Sequence, residues 1–188
     1  MNTPDLIIGI LAGIGLAAAS GFRVFLPMFV LSLAAHSGSI PLNDKLAWLG
    51  SSTAMVILGV AMVVEIGAYL IPWVDHLLDV IAVPLAAIAG TLMVAAVLRD
   101  TDPALTWTLA LIAGGGTATA VQTSTTATRA ASTATTGGLA NPLFSASESV
   151  LSLVFSILAI VAPLIAFLLV AGIIFLIYKL FRRRKTKK

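Results

Sequence analysis

Two arginines occupy places where arginine is costly. Arg23 lies in Gly21-Phe22-Arg23-Val24-Phe25-Leu26-Pro27, inside a long apolar run, and Arg129 lies in a helix-forming stretch of small residues. A guanidinium stays charged at any physiological pH, and at the centre of a membrane helix it costs about 2.5–3.5 kcal/mol. Each must pair with a carboxylate, reach the membrane interface or line a polar cavity. Anion binding is the chemistry that two such groups would do together. The carboxylates available to balance them are Glu65 and Glu148.

A second group follows Glu65. Glu65, Tyr69, Pro72 and His76 fall at i, i+4, i+7 and i+11, one stripe if a single helix carries them. Asp75, His76 and Asp79 crowd the segment Pro72-Trp73-Val74-Asp75-His76-Leu77-Leu78-Asp79. Carboxylates and an imidazole at this spacing suit gating or a proton relay, and a divalent metal less well. The plainer alternative is an interfacial turn, with Trp73 among headgroups and the acids at a helix start. No metal site is expected.

Between Thr117 and Thr136, eleven of twenty residues are Ser or Thr and most of the rest are Ala. If helical, Gln122, Thr126, Arg129, Thr133 and Thr136 make one polar stripe, suited to neighbouring helices or a water-filled passage rather than lipid. Gly137-Gly138 ends the segment. Asn141 or Ser145 then caps the last helix, Ser145 and Glu148 having capping-box spacing; a salt bridge from Glu148 to Arg23 or Arg129 is the alternative. The candidate binding set is therefore Arg23, Arg129, Glu65, Glu148, Gln122, Thr126, Tyr69 and Asn141.

The elements that must position these residues are membrane helices. Apolar residues make up 59% of the 188-residue chain and charged residues 10%, too few to coat a water-soluble globule. The apolar residues come in runs, not in the alternation of a barrel wall. Cysteine is absent, which excludes disulfides and thiolate chemistry. The fold class is all-α, a polytopic helical membrane protein of about five spans. The apolar stretches are 6–35, 53–71, 77–98, a fourth from Ala104 that fades into the polar helix, and 150–178. The first and last exceed the roughly 20 residues of one span, so a break or kink is expected at Ser20-Gly21 with Pro27, and at Pro163.

Seven of the eleven basic residues lie in the last ten positions. This divides the chain into one transmembrane domain, 1–180, and a basic tail, 181–188, that attracts anionic lipid headgroups. Basic residues stay cytoplasmic, so a multi-pass protein of the cytoplasmic (inner) membrane is expected, with its C-terminus inside. Five crossings would bring Lys45 and Arg99 to the same side as the tail. No basic residue precedes the first apolar run, so it reads as a retained helix and not a cleaved signal. Gly9, Gly13, Ala17 and Gly21 recur every fourth position, a spacing for internal helix packing or for a homodimer.

Three pieces, Ala-Ala-Ser-Gly-Phe-Arg-Val-Phe-Leu-Pro (18–27), Ile-Pro-Trp-Val-Asp-His-Leu-Leu-Asp (71–79) and Thr-Arg-Ala (128–130) leading to Asn141-Pro142 and Glu148, carry a resemblance. The chain resembles a bacterial integral-membrane family catalogued as domain of unknown function 4126. The resemblance implies a helical membrane fold and no particular activity. The family pattern has an acidic pair near Glu148, where Ser149 follows in this chain.

No nucleophile–base pair, phosphate-cradling loop or strong metal motif is present, so an enzyme is not expected, nor a cofactor, nor a nucleic-acid partner. The leading expectation is a transporter or permeation protein for an anionic solute or lipid headgroup. A non-catalytic scaffold or assembly factor is the alternative, and an intramembrane metal-dependent enzyme using Asp75, His76 and Asp79 a more remote one.

Overall fold

The computed structural model describes residues 3–185; the side chains of Pro72, Trp73, Asp75, His76, Ile177 and 180–185 lie outside the description. All described elements are helical. They run α1 (Thr3–Ser20), α2 (Phe25–His36), a 3-10 helix (Asp44–Gly50), α3 (Ser52–Ala68), α4 (Pro72–Val97) and α5 (Pro103–Leu109). A π-helical stretch, Ala110–Gly115, then leads into α6 (Gly116–Thr136), followed by α7 (Asn141–Val161) and α8 (Pro163–Lys185). Four segments are long and apolar enough to cross a membrane, and the 3-10 helix with α3 makes a fifth, bent by 66°.

The first apolar stretch breaks completely. Ser20 Oγ donates back to the Leu16 carbonyl and the N–H groups of Phe22 and Arg23 close on Ala19, which ends α1. Gly21 is required there, because a Cβ would meet Val121 at 2.6 Å and the Ala118 carbonyl at 2.7 Å. Pro27 falls in the first turn of α2, where a missing N–H costs nothing. The chain then reverses: α2 lies antiparallel to α3, with Phe29 on Gly59 and Ala35 on Gly50. At 12 residues, about 18 Å, α2 is too short to cross a ~30 Å core. Helices α1 and α2 thus form a hairpin entering from one end of the bundle, here called proximal, with its tip buried.

The last apolar stretch also reverses instead of kinking. Ala162 is the one residue outside helix between α7 and α8, and Pro163 has no N–H to continue the ladder. Ala159 and Ala166 both touch Gly15, while Val170 joins Ala18, Ala19 and Phe22. Helix α8 therefore runs alongside α1 in the same direction and antiparallel to α7. It continues as helix to Lys185.

These two reversals change the topology expected from hydropathy. The candidate spans are α1, the 3-10 helix with α3, α4, α5–α6 and α7, while α2 and the apolar part of α8, Pro163–Leu176, are shorter. Lys45 and Arg99 lie at the proximal end with the start of α1, where Arg99 and Asp5 share a recess. The C-terminal end of α8 is distal, so Lys45 and Arg99 do not join the basic tail.

The core is α1 surrounded by α4, α6, α7 and α8, with Leu16, Ala17, Ala18 and Ala19 at 0–1% exposure. Gly13 sits on the Val94 backbone, and Ala17 and Gly21 are likewise enclosed by the same chain. Of the two uses the spacing allows, Gly13, Ala17 and Gly21 serve internal packing, and Gly9 is half-buried. A still closer crossing joins Gly90 of α4 to Gly114 in the π-helical stretch, where a Cβ on Gly114 would lie 2.3 Å from the Gly90 carbonyl.

Candidate functional site

The hairpin tip needs polar partners because it ends one helix and starts another inside the protein. Helix α7 supplies them from a serine-rich face. Ser152 Oγ donates at 3.0 Å to the Ala19 carbonyl, which also accepts from the N–H groups of Phe22 and Arg23, and so ties α7 to the end of α1. At the start of α2, the N–H groups of Val24 and Phe25 donate to the two oxygens of Glu65, at 2.7 and 3.0 Å. A carboxylate at a helix N-terminus also meets the positive end of the backbone dipoles. Glu65 is therefore the cap of α2, delivered by α3.

Arg23, 1% exposed, projects from the tip towards α7. Its Nε donates to Ser149 Oγ at 3.0 Å, and Nη2 donates to the Ser145 carbonyl at 2.7 Å and to the Ser145 hydroxyl. Nη2 also lies 3.6 Å from Glu148 Oε2. Nη1 is buried with no hydrogen-bond acceptor among the described residues. Arg129, also 1% exposed, reaches the same oxygen: Nη2 is 3.2 Å from Glu148 Oε2, and Nη1 is 3.1 Å from Asp79 Oδ1. The Tyr69 ring fills the angle between the two cations, 4.1 Å from the Arg23 guanidinium carbon and 4.6 Å from that of Arg129. Its π face adds cation–π attraction to both.

Five elements thus meet at one buried charge cluster: the α1–α2 tip, the end of α3, and α4, α6 and α7. Glu148 is seven residues into α7, so the cluster lies about 10 Å inside its distal end. Two guanidiniums are balanced by Glu148 and by Asp79, whose side chain is 20% exposed and is the wettest member. Glu65 and Tyr69 also line a recess of ≈200 Å³ among α2, α3 and α4, otherwise walled by apolar groups such as Phe25, Val64 and Ile81.

Several expectations are corrected. Helix α7 starts at Asn141, with Ala140 before it and no side-chain cap, so neither Asn141 nor Ser145 caps it and no capping box forms. Glu148 is a salt-bridge partner, one turn too deep to serve the helix end. The stripe from Glu65 to His76 is interrupted, since α3 ends at Ala68 and α4 starts afresh at Pro72. Gln122 donates to Thr126 at 3.2 Å within α6, two turns short of Arg129. Asn141 holds α7 to α6 by donating to Thr133 at 3.0 Å. The side chains of Asp75 and His76 lie outside the described residues. Of the relay group only Asp79 is placed, as the partner of Arg129. Among the described residues no set of three metal-ligating side chains converges.

Ser145 and Ser149 are the site residues that sequence reasoning misses. Their i, i+4 spacing around Glu148 is the signal that points to them. The departure at Ser149 supplies a hydroxyl that accepts from Arg23 and donates to the Ser145 carbonyl at 3.0 Å.

Apolar end-to-end helices, a broken hairpin and an intramembrane arginine–carboxylate network define a multi-pass helical membrane protein. The chain belongs to the family described as Domain of unknown function (DUF4126), whose model matches residues 10–183. No curated protein and no solved structure matches the chain.

Proposed function

We propose that this protein is a transporter or permeation protein for a small anion, with Arg23 and Arg129 as its binding pair. The substrate class is a carboxylate, an inorganic anion or a phosphate-bearing headgroup. The observation that carries the reading is the convergence of both buried guanidiniums on one carboxylate oxygen, Glu148 Oε2. In this resting arrangement Glu148 stands where a substrate anion would bind. An incoming anion competes for the pair, and Arg23 Nη1 offers it a buried donor without an acceptor among the described residues. The broken hairpin supports the same reading, since half-helix ends inside the bilayer are a recurrent way to build transporter sites. Glu65 keeps the α2 terminus occupied while the site is empty. The protein sits in the cytoplasmic membrane with its basic C-terminal end inside.

The test is anion flux into proteoliposomes, with chloride, phosphate and acetate as the probes. Flux above protein-free vesicles, lost in Arg23→Gln, is the expected result. No flux of any probe with folded protein would overturn the reading.

A second reading, a non-transporting scaffold, is favoured by the charge balance: Asp79 and Glu148 together offset both arginines. It expects the paired neutral replacement Asp79→Asn with Arg129→Gln to keep fold and cellular phenotype. The transport reading expects that pair to abolish flux in a protein that still folds.

A further inference from the structure

At the proximal end a pocket of ≈420 Å³ opens between the 3-10 helix and the turn joining α4 to α5. Its size falls in the range of small-molecule sites. The wall is rigid for a loop region. Asn43 is tied to the end of α4 twice, its N–H donating to the Ala96 carbonyl and its Nδ2 to the Leu98 carbonyl, both at 2.7 Å. The Thr101 and Thr106 hydroxyls are 2.7 Å apart, and Asp102 caps α5 through the N–H groups of Ala104 and Leu105.

Into this frame the chain sets Asp44, Lys45, Arg99 and Asp100. Among the described residues Lys45, Arg99 and Asp44 make no ion pair, although both signs line one pocket. Arg99 is half-buried and lines the pocket together with the exposed Asp44 and Lys45. Asp100 has φ of 48°, a left-handed conformation uncommon outside glycine, held in the same wall. Trp107 lines the pocket at 40% exposure, and Trp48 follows on the 3-10 helix at 58%. Tryptophan concentrates at headgroup depth. Two cations, Lys45 and Arg99, beside the Asp44 carboxylate, with no ion pair among the described residues, match a ligand carrying a phosphate next to an ammonium.

We propose that this proximal pocket is a binding site for a phosphoethanolamine-type group, the phosphate held by Lys45 and Arg99 and the ammonium by Asp44. The site is separate from the arginine cluster and does not depend on what that cluster transports. A lipid headgroup and a free solute share this chemistry, and the test separates them.

The experiment measures melting of the full chain in neutral detergent with phosphatidylethanolamine, phosphatidylglycerol or soluble phosphoethanolamine added. A ligand of the native state raises the melting temperature by mass action. Phosphatidylethanolamine is expected to raise it more than phosphatidylglycerol does. Arg99→Gln and Lys45→Gln each weaken apparent affinity about tenfold, the effect of losing one charge-assisted hydrogen bond. Asp44→Asn abolishes the preference over phosphatidylglycerol. A shift from soluble phosphoethanolamine equal to that from the lipid supports the site and assigns it to a free solute. Equal stabilisation by phosphatidylglycerol in the unmodified protein would overturn the proposal. So would a phosphatidylethanolamine shift that survives both cation variants; Lys45 is exposed, so its variant reads binding even if Arg99→Gln folds poorly.

Discussion

The two ends of this bundle use the same residue types in opposite ways. Distally, Arg23 and Arg129 are sealed from solvent and share Glu148, with Asp79 and Tyr69 completing the shell. Proximally, Lys45, Arg99 and Asp44 line an open pocket and make no ion pair among the described residues. The difference follows from dielectric. A charge withdrawn into the protein must be neutralised at hydrogen-bond range, whereas one at the headgroup layer keeps water or a headgroup as its partner. Sealed charge is an integral part of the fold, and open charge is free to serve a ligand.

The sharpest way to break that contrast is Glu148→Gln. Both guanidiniums would lose their common counter-charge. Removing one partner of a buried pair costs about 3–5 kcal/mol, and a detergent-stability titration should find a loss of that size. A loss near zero would mean that water already reaches the cluster. Glu65→Ala comes next. It strips the acceptors from two N–H groups at the start of α2, and buried donors left unpaired cost about 1–3 kcal/mol each. Partial rescue by Glu65→Gln, which keeps one acceptor, distinguishes loss of the cap from loss of charge.

Much of this arrangement is legible in the amino-acid sequence. The apolar stretches locate the helices, and the cost of intramembrane charge singles out Arg23, Arg129, Glu65 and Glu148. Direction is not legible. Hydropathy is blind to whether the chain goes on or turns back at Gly21 or at Pro163, and each reversal moves every later charge to the other end. Lys45 and Arg99 part from the basic tail for this reason. Ser145 and Ser149 are obscured because serine near an expected helix start also fits capping, and only the true start at Asn141 removes that option. Gln122 and Thr126 share a helical stripe with Arg129, yet their bond is local to α6. The Gly90–Gly114 crossing joins residues far apart in the chain, which a helical repeat within one segment cannot reveal.

Smaller effects sharpen the comparison from both sides. Tyr69→Leu keeps an apolar side chain between the arginines and removes the π face together with the phenol hydroxyl, whereas Tyr69→Phe removes the hydroxyl alone. The expected loss is about 1–2 kcal/mol, within the range for desolvated cation–π contacts, and should be largely insensitive to salt. At the open end Lys45→Gln should not measurably change the melting temperature of ligand-free protein, because its exposed side chain makes no ion pair or hydrogen bond among the described residues. Its binding effect belongs to the pocket ligand and should shrink as salt rises, since an exposed charge is screened over about 10 Å at 0.1 M ionic strength. The diagnostic comparison is therefore melting with and without added salt for both variants. A Lys45→Gln protein that melts lower without any ligand would show that the proximal charges, too, hold the fold together.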